Sequence, residues 1–145
     1  MPAPAVSTYY LKSLAAEENS QMKPILGAIE SPVYAVMRFM VGGLFACHGA
    51  QKLFGAFGGH AMLHNPLMLT AGIIEFGGGL LIAIGLLTSV AAFIASGEMA
   101  VAYFLQHARV DFWPIVNKGE LAVIYCFIFL YIASHGAGRF AVDKS

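Results

Sequence analysis

Charge is scarce in this chain. Only 11% of its 145 residues are Asp, Glu, Lys or Arg, and the formal net charge is zero. A typical soluble domain carries roughly 25% charged residues. The deficit excludes an ordinary water-exposed globule and points to an integral membrane protein. No run of Lys or Arg is present to follow a phosphate backbone, so nucleic acid is not an expected partner. The cysteines are Cys47 and Cys126, both inside apolar stretches. Two are too few for a disulfide framework or an iron–sulfur set, and they read as small buried hydrophobes. A dithiol between them needs their two spans to face each other. The chain has no haem-attachment motif and no flavin or nicotinamide fingerprint. Its start, which includes AAEENSQMK, lacks the basic stretch and apolar run of a secretory signal. The first span is therefore expected to act as an uncleaved insertion signal.

What is abundant is apolar: 59% of the residues are hydrophobic. Four apolar segments follow a polar tail at 1–32, and they are expected at about Val33–Phe54, Leu67–Leu87, Ser89–His107 and Gly119–Gly136. Each approaches the roughly twenty residues needed to cross hydrocarbon, the fourth being the shortest. The expectation is an all-α, four-helix transmembrane bundle over 33–143 with both termini on one side. The tail could carry a short interfacial helix at Tyr9–Glu18. A Gly-rich connection, Gly55–Pro66, and a polar, aromatic one, residues 108–118, lie together on the other, outer side. Lys12, Lys23, Arg38, Arg139 and Lys144 lie toward the terminal side, against Lys52, Arg109 and Lys118 on the other. This balance points to cytoplasmic termini, and a bacterial inner membrane is the expected location.

Ionisable groups interrupt these spans, and at membrane depth they are costly unless they face a partner, a cavity or a ligand. Arg38, Val41, Phe45, His48 and Lys52 form one stripe on a helix turning about 100° per residue. Arg38 lies near the terminal side, where it is expected to snorkel and play a structural part. Glu75 lies about 12 Å from the outer end of the second span, and Glu98 about 13 Å from the outer end of the third. At matched depth the two would repel if both were ionised. One then carries a proton, or Arg38 or a histidine compensates. Lys52, Glu75, Glu98 and His48 are the candidate catalytic residues, with Gln51, His107 and Glu120 as the rim of the same outer-half pocket. Such a pocket suits proton handling or the polar head of an apolar ligand such as a quinone. His60 and His64 are four apart, but no third metal ligand is close in sequence, so no metal site is assigned. His135, in the last turn of the fourth span, complements the helix dipole.

These residues also carry a resemblance. The stretches RFMVGGLFACHGAQK at Arg38–Lys52, GIIEFGGGLLIAIGLLT at Gly72–Thr88, EMAVAY at Glu98–Tyr103, NKGELA at Asn117–Ala122 and GAGRFAVD at Gly136–Asp143 resemble, in order and spacing, the DoxX family of small four-helix membrane proteins. In the family's closing G-x-G motif a Pro or similar small residue is usual, with a hydroxyl before the final Asp; this chain has Ala137 and Ala141–Val142 there. The resemblance implies the four-helix fold and kinship with membrane subunits of thiosulfate–quinone oxidoreductases. Two functions are compatible with it. One is a redox-associated component holding a quinone or a small sulfur compound, with electrons passing to or from the quinone, a thiol pair or another subunit. The other is an accessory subunit of a larger respiratory or photosynthetic membrane complex, packing lipid or pigment, with His48 as a candidate axial ligand. Expected partners are membrane lipid and either such a complex or further copies of the chain.

Overall fold

The computed structural model describes residues 25–143, so the expected interfacial helix at Tyr9–Glu18 lies outside the described residues. Every regular element in that range is helical. Helix α1 is Glu30–Phe54, and α2 is Pro66–Ile84 and α3 Thr88–His107. A single turn at Pro114–Asn117 leads to α4, Glu120–His135. The stretch Gly27–Phe54, together with α2 and α3, is long and apolar enough to cross a membrane, at 28, 19 and 20 residues. α4 is apolar but has only 16 residues.

The distribution of side chains is that of a lipid-immersed protein. Phe39, Leu44, Phe93, Ile94 and Phe127 face outward from the middle of their helices, while Arg38, Glu75, Thr88 and Ser96 are buried. Exposed apolar surface on this scale marks an interaction surface, and on helices of these lengths it is a lipid-facing surface. The core draws on all four helices, with Phe45, Ile82, Ala92, Ala95, Phe129 and Ile132 at its centre.

Small residues decide how closely the helices approach. A Cβ on Gly42 would stand 2.7 Å from the backbone of Gly79 and Ala83, and one on Gly79 would stand 2.6 Å from the backbone of Gly42 and Ala46. Gly49 meets the backbone of Phe76 in the same way. The stripe Gly42, Ala46, Gly49 thus lets α1 touch α2 backbone to backbone, as small residues do in lipid. On α3, Ala91, Ala92, Ala95 and Met99 form the buried face. Ser96 Oγ donates to Cys126 O of α4 at 2.9 Å.

Local chemistry sets the helix ends. The Asn65 side chain accepts from the N–H groups of Leu67 and Met68, and Pro66 occupies the first turn, a favoured helix start. α2 stops at Gly85, whose φ of 76° is left-handed. Leu87 is left-handed as well, although it is not glycine. The tail compensates this strain. Asp143 accepts from the N–H groups of Leu87 and Thr88, each at 3.1 Å, and from the Thr88 hydroxyl at 3.3 Å. Asp143 thereby does the work of an N-cap for α3 from 55 residues away. The closing G-x-G stretch, despite Ala137 and Ala141–Val142, ends in this clamp.

Arg38 departs from the expectation. It is 2% exposed and does not snorkel to the rim. Its guanidinium donates to Ile82 O, to Ala83 O at 2.9 Å and to Phe140 O. Its role is structural, but from the inside: it binds the carbonyls at the end of α2 to the returning tail. His135 rests against Tyr34, with ring centroids 4.0 Å apart.

Two measurements check this account. Gly49→Ala is expected to cost about 1–3 kcal/mol, the usual penalty for overpacking. Gly43→Ala, where a Cβ meets nothing within 4 Å, is expected to be neutral or to stabilise by up to about 1 kcal/mol. Thermal unfolding in detergent compares the two. The N–H groups of Thr88 and Leu87 hold the Asp143 carboxyl below the usual aspartate range. Its contribution is therefore complete above about pH 4 and is lost as pH falls through the lower folded value. Asp143→Ala is expected to reduce the melting temperature at neutral pH and to flatten its acid dependence in a pH series of melts.

Candidate functional site

The last turn of α1 carries Lys52. Gly72 of α2 makes room for its stem, since a Cβ there would lie 3.2 Å from Lys52 Cβ. Across this contact Lys52 Nζ reaches Glu75 Oε2 at 2.5 Å. Glu75 is 3% exposed. A buried carboxylate is stable only with a close partner, and Lys52 supplies it. Glu75 sits in a π turn, Ile74–Gly78, within α2. A second π turn, Tyr103–His107, closes α3 and carries His107. π turns within α-helices are often found at functional sites, and each of these two bears a polar residue facing the same space.

That space is a cavity of about 590 Å³ between the helices, within the usual range for small-molecule sites. His48, Lys52, Glu75, Glu98 and His107 all line it. Phe45, Met68, Ile94 and Leu105 supply apolar wall. Unlike Glu75, which is paired, Glu98 has a buried oxygen, Oε2, with no hydrogen-bond partner among the described residues. An orphaned buried oxygen is costly, so Glu98 is the group in the cavity with an unmet bond. Arg38 does not compensate it, being committed to carbonyls at the other end of α1. The half-buried His48 stands edge-on to Tyr125, with ring centroids 6.4 Å apart.

His107 is oriented from behind. Its Nδ1 lies 3.1 Å from Asn117 O, and a carbonyl can only accept, so Nδ1 carries the hydrogen and Nε2 is the other ring nitrogen. Asn117 is itself buried. Its Nδ2 donates to Asp111 O at 2.7 Å and to the Tyr103 hydroxyl at 3.3 Å. Its Oδ1 accepts from Gly119 N at 2.7 Å. This network anchors the outer connection over the end of the cavity.

Two residues expected at the pocket rim are elsewhere. Gln51 does not line the cavity; it packs toward the connection, where a Cβ on Gly59 would stand 2.8 Å from Gln51 Cβ. Glu120 is the first residue of α4 and points outward, exposed. Both have the right depth but the wrong direction. Tyr125, Gln106 and Lys118 line the cavity instead. For Tyr125 a signal existed, a phenol among apolar neighbours on the fourth span. Cys47 is exposed, while Cys126 lies 3.6 Å from Ser96 Oγ, so the two thiols do not form a pair. His60 and His64 are exposed in a non-helical connection, which lacks the helical spacing that their pairing required.

Fold and site together define an all-helical integral membrane protein with a largely apolar cavity between its helices, into which a few ionisable side chains are set. The chain belongs to the DoxX family, whose profile it matches over residues 33–108. It is also 42% identical over 117 residues to an uncharacterized protein of Haemophilus influenzae, covering 76% of this chain and 87% of that protein. No solved structure matches it.

The ion pair makes a direct prediction. Lys52→Met leaves Glu75 buried without a partner and is expected to cost about 3 kcal/mol. Adding Glu75→Leu to that variant is expected to restore most of the loss, because the uncompensated charge is gone. A double-mutant cycle by denaturation in detergent measures the difference.

Proposed function

We propose that this protein holds the polar head of a lipid-soluble redox molecule, a quinone foremost or else a small sulfur compound, in the cavity between its helices. The observation that carries the reading is the unpartnered Glu98 Oε2, set in a cavity of about 590 Å³ beside the neutralised Lys52–Glu75 pair. A quinone fits this donor set. Its carbonyl oxygens accept hydrogen bonds, and Lys52 Nζ, a protonated Glu98, His48 and the Tyr125 hydroxyl are donors of the required kind. When bound, the quinone supplies two-electron chemistry coupled to proton uptake. The protein's own groups orient the head, exclude water from it and exchange protons with it. His107, held through Nδ1, is placed to pass protons between the cavity and the outer connection. The electrons are assigned to a partner redox subunit of a larger membrane complex.

In this reading α4 also spans the membrane, completing a four-helix bundle. Both termini then lie on the cytoplasmic side of a bacterial inner membrane, and the cavity lies toward the opposite face. The charge balance between the two ends of the chain supports this orientation.

The test is to purify the protein in mild detergent and extract its bound small molecules. A quinone near one per chain is expected, with its loss or a tenfold weaker retention in Glu98→Leu. Stable co-purification with a large complex, with no small molecule in the extract, would instead establish the accessory-subunit role.

A further inference from the structure

Three residues of α3, Ile94, Gly97 and Val101, line the cavity and are at the same time exposed on the outside of the protein. Gly97 lies near the middle of α3, about 14 Å from either end at 1.5 Å per residue. In a bilayer with a hydrocarbon core about 30 Å thick, that is the depth of the lipid tails. On the facing wall, Leu67 of α2 is likewise both exposed and cavity-lining. α2 closes against α3 through its π turn and Gly79–Ile84, whereas its outer half, Pro66–Ile73, contributes cavity wall. A Cβ on Gly97 would meet no atom within 4 Å, so the space beside it is open. Glu98, the next residue, faces the cavity, which places the unmet polar group just behind this opening.

We infer that the cavity opens sideways into the hydrocarbon between the outer half of α2 and the middle of α3, and that its ligand arrives from the bilayer as an amphiphile with a compact polar head and an apolar tail. The inference rests on the ligand-binding reading of the same cavity and adds to it the route and the tail. A mouth open to water would expose the aliphatic lips Ile94 and Val101 to it, at a cost of about 25 cal/mol per Å². Against lipid those lips cost nothing. The head comes to rest at Glu98 and Lys52, and the tail passes over Gly97. The competing route is the polar outer end of the cavity, at Gln106, His107 and Lys118.

The experiment places a nitroxide on the cavity wall, using Ala71→Cys in a Cys47→Ala, Cys126→Ala background in lipid nanodiscs. Collision with oxygen, which partitions into lipid, is compared with collision with a water-soluble nickel chelate. Oxygen is expected to dominate, and adding Gly97→Phe is expected to reduce its collision rate several-fold without lowering the melting temperature. Nickel collisions equal to those of oxygen and indifferent to Gly97→Phe would overturn the sideways route. Decylubiquinone is expected to shield the label, and the same quinone ring without its tail to shield it at least tenfold less well; equal shielding would overturn the requirement for a tail. If decylubiquinone fails to bind while the collision pattern holds, the quinone reading falls and the lateral opening stands, so the two failures are separable.

Discussion

The backbone contact between α1 and α2 governs where the polar groups of the molecule fall. Gly42, Ala46 and Gly49 leave nothing larger than a methyl group between the two helices where they cross, so the pair locks in one register. That register brings Arg38 to the carbonyls of Ile82 and Ala83 at one end and Lys52 to Glu75 at the other. In lipid, where the hydrophobic effect does little to hold helix against helix, close packing and satisfied polar groups carry the association. Here the same glycines provide both.

The two ends of this helix pair are satisfied to different degrees. At the terminal end, one guanidinium and one carboxylate, Arg38 and Asp143, engage backbone groups of α2, α3 and the tail, and of the guanidinium nitrogens Nε alone is buried with no partner among the described residues. At the outer end, Lys52 closes on Glu75, but Glu98 keeps a buried oxygen with no partner among the described residues. Buried polar groups without partners are rare in native structures and call for an explanation. The first end has the properties of a brace. The second leaves a carboxyl oxygen beside the cavity.

Much of the fold was legible in the sequence because the membrane imposes strong patterning. Apolar length gave the helices: the second span, expected at Leu67–Leu87, is Pro66–Ile84 in the structure, its end drawn in by Gly85. Depth along each helix also carried real information: it gathered His48, Lys52, Glu75, Glu98 and His107 around one cavity. Depth says nothing of direction, however, and Gln51 and Glu120 had the right height but face elsewhere. Arg38 was misjudged for a related reason. Its distance from the rim suited snorkelling, whereas the acceptors that hold it inside come from Phe140 and from the end of α2, far along the chain. The π turns at Ile74–Gly78 and Tyr103–His107 left no mark in the sequence, since a one-residue widening has no composition of its own.

The Asp143 clamp has a bearing on how the molecule is made. The α2–α3 turn holds Leu87 in a left-handed conformation, yet the carboxylate that accepts the Leu87 and Thr88 N–H groups is synthesised 55 residues after Thr88. During insertion the hairpin of α2 and α3 must therefore wait, unlatched, while α4 and the tail are translated. The corner between the second and third helices is settled only after the fourth is in place, and assembly of this small protein is completed backwards, from its C-terminal segment to its middle.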